Sequence, residues 1–220
     1  MPRVDVVLFD LDGTLADSAP DLAGAANELR AAHGLQPLPY EVLRPLVGSG
    51  ARGMVGVSFG IAPGDPDYDG LKEDFLRRYE ARLLRETVVF PQVLPVLQAL
   101  DERCVAWGIV TNKVLRLAAP LVEGLRLDRR TAVLIGGDTT PFAKPRPEPL
   151  LEAARRLSVE PSRCAYVGDD PRDMQAGRAA GMATIAAAWG YLGPGEPVEA
   201  WGADIVIERP THLLHWLDLA

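Results

Sequence analysis

The chain opens on an apolar, β-branched run, Val4–Phe9 (VDVVLF), which ends on acids. A short run that is apolar at nearly every position reads as a parallel strand buried on both faces. A helix follows within ten residues: Ser18 is placed to cap it, Pro20 falls near its first turn, and Gly34 can end it. From Pro39 to Leu84 the spacing stays helical, broken by the Gly/Pro/Asp-rich stretch Gly60–Gly70, and no strand is expected there. Leu71–Leu84 carries apolar residues at 71, 75, 76, 79, 83 and 84, one stripe of a helix.

Beyond Val88 the rhythm changes. Helices predicted over Val93–Leu100, Leu115–Gly124, Pro149–Leu157 and Arg172–Ala180 alternate with apolar runs at Val105–Val110, Ala132–Ile135, Cys164–Val167 and Met182–Ala188. A loop at Gly190–Gly195, a late run at Asp204–Ile207 and a terminal helix at Thr211–Leu217 close the chain. Such alternation means a parallel sheet with helices on both faces. The helical block between the first strand and the second is too long for one crossover. The predicted fold class is therefore α/β, a doubly wound parallel sheet built from residues 1–16 and 88–220, with an all-helical cap domain inserted at 17–87.

Composition narrows the partners. With 48% hydrophobic and 24% charged residues the chain reads as an ordinary soluble globular protein, not a disordered one. A net charge of −7 argues against nucleic acid as a partner, since such a surface is normally basic. No apolar run approaches the roughly 18 residues that cross a bilayer, and no small-residue cleavage site follows the opening run, so no membrane partner is expected. Cys104 and Cys164 each precede an apolar run, which suggests buried strand-edge thiols and a reducing, cytoplasmic setting. The expected assembly is a monomer or a homodimer.

In an open parallel sheet, ligands bind beyond the carboxyl ends of the strands, so the residues that follow each run carry the chemistry. After the first run comes Asp10-Leu11-Asp12-Gly13-Thr14-Leu15; after the second, Thr111-Asn112-Lys113; near the third, Lys144 in AKPRPEP; after the fourth, Gly168-Asp169-Asp170 and Asp173. Taken singly each has an ordinary explanation: Asp-Gly pairs mark turns, Thr caps helices, and acids suit a helix's first turn. Together they bring several carboxylates, a hydroxyl and an amine to one edge. Clustered carboxylates repel unless a cation lies between them, and an oxygen-only set without His or Cys favours Mg²⁺ over zinc. Gly13 permits a sharp turn that can leave backbone N–H groups to an anion. A metal, a lysine, a hydroxyl and such donors around a carboxylate suit a phosphoryl group, and the carboxylate can serve as its nucleophile.

D-L-D-G-T-L-x-D-S, V-T-N-K, K-P-x-P-x-P-L and V-G-D-D-x-x-D, in this order across the whole chain, resemble the haloacid dehalogenase superfamily, above all its phosphoglycolate phosphatase branch. The resemblance implies Asp10 as nucleophile and Asp12 as the acid, then base. It implies Thr111 and Asn112 as phosphoryl holders and Lys144 as the neutralising cation. Mg²⁺ would sit on Asp10, the Asp12 carbonyl and Asp169, supported by Asp173. The substrate implied is a small phosphorylated metabolite, first 2-phosphoglycolate. The cap segment S-G-A-R-G-M-V and the W-G-A-D stretch at 201–204 also resemble N-acetylmuramic acid 6-phosphate phosphatases, and a β-phosphoglucomutase-like enzyme is a further alternative on this fold. A non-catalytic phospho-acceptor domain uses similar residues, but places its acceptor after a middle strand and needs no helical insertion.

Gly48-Ser49-Gly50-Ala51-Arg52-Gly53 fits G-x-G-x-x-G, yet neither a preceding strand nor a following strand-end acid supports a dinucleotide site. Its glycines, Gly48 and Gly50, open a cap helix and can offer N–H groups to substrate, with Arg52 a candidate for a carboxylate. His33, His212 and His215 lie away from the strand ends. Trp189 follows the fifth run and is a candidate for the rim of the site.

Overall fold

The computed structural model describes residues 4–219. The chain begins with β1 (Val6–Phe9), turns tightly into the two-residue β2 (Ala16–Asp17), and runs through α1 (Ala19–Ala32), α2 (Tyr40–Leu43), α3 (Gly50–Phe59) and α4 (Tyr68–Arg82) before β3 (Val88–Val89) brings it back. The remainder is α5 (Leu94–Glu102), β4 (Ala106–Val110), α6 (Leu115–Gly124), β5 (Leu134–Ile135), α7 (Glu148–Leu157), β6 (Cys164–Gly168), α8 (Pro171–Ala180), β7 (Ala183–Ala187), β8 (Ile205–Ile207) and α9 (His212–Trp216).

Six strands form one parallel sheet in the order β5-β4-β1-β6-β7-β8. Phe9 lies in register with Ile109 of β4 on one side and Val167 of β6 on the other. β1 is thus the strand at which the connections reverse direction, the position where a doubly wound sheet opens a crevice at its carboxyl edge. The period of two sorts the strand residues onto two faces. Val7, Phe9, Trp107, Ile109 and Val167 join one apolar cluster, with the Phe9 and Trp107 rings edge to face at 6.3 Å. Val6, Leu8, Val110, Cys164 and Tyr166 join the other. Both faces are covered, which is why these strands read as unbroken apolar runs.

Helices α1–α4 lie between β2 and β3, which pair antiparallel, Ala16 opposite Val89 and Asp17 opposite Val88. The chain therefore leaves and re-enters the sheet domain through one narrow ribbon. Asp21, wholly buried in the first turn of α1, accepts from Glu86 N (3.0 Å), Thr87 N (2.9 Å) and Thr87 Oγ1 (2.8 Å), tying that helix to the returning strand. Leu43, Val47, Met54, Phe75 and Tyr79 carry the apolar interior of the cap into the same cluster as one sheet face.

Several details differ from the sequence reading. β1 starts at Val6 and β5 spans only Leu134–Ile135. The β2–β3 ribbon carries no readable pattern, because two residues have no period. Cys164 is buried, but Cys104 is exposed. It sits at φ 55° in the turn after α5, and the strand proper begins beyond it at Ala106. Ser18 occupies the N-cap position of α1, yet its side chain makes no cap bond and donates to Asp12 instead. Among the described residues no helix is long and apolar enough to cross a membrane.

Candidate active site

The four strand-end segments meet at the carboxyl ends of β1, β4 and β6. Asp10 directly follows β1, and its backbone N–H still bonds Val167 O at 2.9 Å, so the ladder fixes the Cα that carries the carboxylate. Lys144 is the buried cation of the site. Its Nζ lies 3.0 Å from Asp10 Oδ1 and 2.8 Å from Asp173 Oδ1, and donates to Tyr166 OH at 2.7 Å. Burial works against its charge, but Asp10 and Asp173 overcome that and hold the ammonium above its ordinary pKa. Tyr166 stands beneath it on β6, its own hydroxyl donating to Val110 O at 2.8 Å.

Asp10, Asp169 and Asp173 present carboxylate oxygens all within 4.8 Å of one another. Burial, then the neighbouring Asp10 and Asp173 charges, push the Asp169 carboxyl well above its usual range. Burial pushes Asp173 upward too, against the pull of Lys144. Three acids crowded into a dry pocket with one lysine are a set short of positive charge. The donors are all hard oxygens, so the residues fit a small hard divalent cation. Asp169 is braced by Thr14 Oγ1 (2.8 Å) and by Tyr191 N (2.8 Å). Asp173 uses its second oxygen in the capping box that starts α8, accepting from Asp170 N at 3.1 Å. Gly13 has φ +86°, and a Cβ there would lie 2.1 Å from Asp169 Oδ2. Glycine is required both by the turn and by the closeness of that carboxylate.

The Asp12 side chain lies outside the acidic trio; the ligand atom expected of it is its carbonyl. Its carboxylate instead accepts from Ser18 Oγ at 2.5 Å and meets Lys113 Nζ, which is 2.9 Å from both oxygens. Lys113 also donates to Tyr79 OH, 3.0 Å away on the cap helix α4. Burial opposes its charge, but Asp12 and Tyr79 prevail and raise its pKa. Sequence reasoning gave Lys113 no role, although it stands next to Thr111 and Asn112.

Other candidates fall variously. Thr111 is buried, its Oγ1 accepting from Lys113 N at 3.1 Å. Asn112 clamps the Lys144 backbone in both directions: Nδ2 donates to Lys144 O (3.0 Å), and Oδ1 accepts from Lys144 N (2.9 Å). The Gly13 N–H is not open to an anion as expected, because it bonds Ala16 O at 2.9 Å to close the turn. Gly48 and Gly50 line the same cavity as the acids, where Gly48 O accepts from Arg172 of α8. Arg52 does not join them. It lines a separate hollow with Gly53, Gly56 and Ile61, on the side of α3 away from the buried Met54 and Val55. Trp189 does not line the cavity either; its Nε1 donates to Thr14 O at 3.1 Å and braces the first loop from behind.

The cavity measures about 330 Å³. Its floor is charged, and its wall is apolar, with Leu22, Val47, Phe75, Leu76 and Leu117. Among the described residues, Lys72 is the cap cation that lines it. Contacts that hold the cap over this space include Arg172 to Gly48 O; Arg44 Nη2 to Gly190 O at 3.3 Å, with the Arg44 guanidinium 5.0 Å from the Tyr191 ring centre; Arg116 Nη1 to Glu80 Oε2 at 2.9 Å; and the Lys113–Tyr79 bond.

Comparison with known proteins agrees with this geometry. The profile of the haloacid dehalogenase-like hydrolases matches residues 7–187. An N-acetylmuramic acid 6-phosphate phosphatase of Pseudomonas aeruginosa is 39% identical over 218 residues, covering 99% of this chain and 96% of that protein. A phosphoglycolate phosphatase of Xanthomonas campestris is 46% identical over 208 residues, covering 94% and 93%. The solved structure of a haloacid dehalogenase-like family hydrolase from Streptococcus pneumoniae has the same fold, with a TM-score of 0.84 at 22% identity over 98% of this chain and 99% of that one.

Proposed function

Because the chain belongs to the haloacid dehalogenase-like hydrolases and is a phosphoric monoester hydrolase, we propose that it cleaves a small phosphate monoester through an aspartyl-phosphate on Asp10, with Mg²⁺ and with 2-phosphoglycolate as substrate. The observation that carries this reading is the Asp10 carboxylate, held 3.0 Å from Lys144 Nζ with a second carboxylate, Asp12, two residues on in the same loop. Asp10, Asp169, Asp173 and the Asp12 carbonyl would hold Mg²⁺, which would supply the positive charge that an anionic carboxylate needs beside an anionic phosphate.

In the first half-reaction an Asp10 oxygen bonds to phosphorus as the ester P–O bond breaks, and the departing oxygen takes the proton of the Asp12 carboxyl. In the second, the Asp12 carboxylate takes a proton from water. The water oxygen bonds to phosphorus, the Asp10–phosphorus link breaks, and inorganic phosphate leaves with Asp10 restored. Lys144 offsets charge on Asp10 and the phosphoryl oxygens, with Thr111 beside them. The helical cap, residues 17–87, closes over the substrate and excludes bulk water. Two free cysteines accord with a cytoplasmic setting.

A second substrate, N-acetylmuramic acid 6-phosphate, is favoured by one specific observation. The cavity is roomy and walled by Leu22, Val47, Phe75, Leu76 and Leu117, more apolar surface than a two-carbon acid can cover. Both substrates carry a carboxylate, for which Lys72, the cap cation lining this cavity, is the partner in this reading. The deciding experiment is phosphate release with Mg²⁺ from 2-phosphoglycolate, N-acetylmuramic acid 6-phosphate, glucose 1- and 6-phosphates and 4-nitrophenyl phosphate. Asp10→Asn serves as control, with a loss of at least about 10³-fold expected. A kcat/KM preference near a hundredfold, about 2.7 kcal/mol, names the substrate. Isomer interconversion without free phosphate would replace hydrolysis with a mutase reaction.

A further inference from the structure

We propose that Lys113 is a positioning residue for the Asp12 carboxylate, and that Tyr79 makes that positioning depend on the cap. This rests on the reading of Asp12 as the proton donor to the leaving oxygen.

The argument begins with what an ammonium can donate. Lys113 Nζ has three hydrogens and, in the closed molecule, three acceptors: Asp12 Oδ1 and Oδ2, each at 2.9 Å, and Tyr79 OH at 3.0 Å. Straddling both oxygens fixes the plane of the ionised carboxylate as well as its place, and when one oxygen is protonated for donation the lysine still holds the other. Ser18 Oγ holds only Oδ1, so without the lysine the carboxylate can turn about its last bond. Lys113 is itself fixed, its backbone N–H on Thr111 Oγ1 (3.1 Å) and its carbonyl accepting from Gly137 N (2.9 Å).

The third acceptor comes from the other domain. Tyr79 lies on α4, its ring parallel to Phe75 at 6.5 Å and almost wholly buried. Lys113 Nζ is 4.7 Å from its ring centre. With the cap lifted, Lys113 would lose this partner to water, and its hold on Asp12 would weaken in the higher dielectric. The lysine touches neither the acidic trio nor Lys144. Its ion pair within the site is with Asp12.

Aligning a proton donor matters most when the leaving group is poor. The test compares kcat/KM for 4-nitrophenyl phosphate with that for the best alkyl monoester of the panel, since kcat/KM ends at departure of the leaving group. Lys113→Met should cost about 10²-fold or more on the alkyl ester, within the usual range for general acid catalysis, and under about threefold on the aryl ester. Lys113→Arg should restore part of the alkyl activity, and Tyr79→Phe should show the same bias at smaller size. Equal losses on both esters, or none on either, would overturn the proposal. If Lys113→Met fails to fold, Tyr79→Phe, which leaves the ion pair intact, decides by the same ratio. Activity in Asp10→Asn would instead remove the phosphatase mechanism underneath, whatever the Lys113 variants do.

Discussion

The backbone N–H of Tyr191 donates to Oδ2 of Asp169 at 2.8 Å, so a residue of the loop after β7 steadies an acid after β6. The same tyrosine's hydroxyl accepts from Ser18 N (2.8 Å) and Ala19 N (3.0 Å) and donates to Asp17 Oδ1 (3.0 Å). Its ring carries the Arg44 guanidinium of the cap. One residue thus joins the candidate metal site through its backbone, and the β2–β3 ribbon and the cap through its side chain. Tyr191→Phe leaves two buried N–H groups short of an acceptor and should cost about 1–3 kcal/mol in urea unfolding. Mg²⁺ affinity should change less than about threefold, because Asp169 is held by the backbone. A large loss of affinity at full stability would contradict this division.

Gly13→Ala tests the closeness of the first loop to the acidic trio. The added carbon would need the space of Asp169 Oδ2 at a φ that alanine resists. Asp169 must turn away, breaking its contact with Thr14. Mg²⁺ affinity should fall by about 10–100-fold, the usual cost of disturbing groups that orient metal ligands. Titration of Mg²⁺ against the melting temperature reads this directly, and an unchanged midpoint would remove the steric argument.

The crowded acids give the metal-free protein a pH signature. Asp169 and Asp173 have carboxyls raised above their unfolded values, so the fold binds more protons than the unfolded chain between about pH 4 and the folded values. The sign follows: the stability supplied by the protonated forms is present below about pH 4 and is lost as pH rises through that window. In EDTA the melting temperature should therefore fall from pH 5 to pH 8. Saturating Mg²⁺ should raise it more at pH 8 than at pH 5, because the ion displaces fewer protons from these acids as pH rises. At a hundred times Kd the gain is about 2.7 kcal/mol, roughly 5–11 °C for a chain of this size. A larger Mg²⁺ gain at pH 5 would contradict the assignment.

The two thiols should separate cleanly. Burial pushes the Cys164 thiol up to about 11, whereas Cys104 is exposed in a turn. Iodoacetamide at pH 8 should label Cys104 and leave Cys164 until the protein unfolds, as peptide mass spectrometry would show. Equal labelling of the native protein would place Cys164 within reach of solvent.

Much of the sheet could be read from the chain because parallel strands buried on both faces are unbroken apolar runs, and the residues after them converge by topology. Asp10, Lys144, Asp169 and Asp173 came together for that reason. What escaped was tertiary. Lys113 and Tyr79 are 34 positions apart and meet only because α4 folds back over the sheet edge. Ser18 had two acceptable uses for its hydroxyl, and the carboxylate of Asp12 outcompeted the helix end. The glycine motif sets Arg52 next to Gly48 and Gly50 in sequence, whereas the turn of the helix carries it to a separate hollow. With Met54, Val55 and Ser58 buried, position 52 of α3 faces away.

Two of the cap latches end on main-chain oxygens, Arg172 on Gly48 O and Arg44 on Gly190 O. An acceptor that belongs to the backbone survives most changes of side chain. The wall residues Val47, Lys72, Phe75 and Leu76 can therefore be exchanged, in the laboratory or by descent, while the lid still fastens in the same place. Those two latches ask nothing of these wall side chains, so part of the closure persists while the wall is varied.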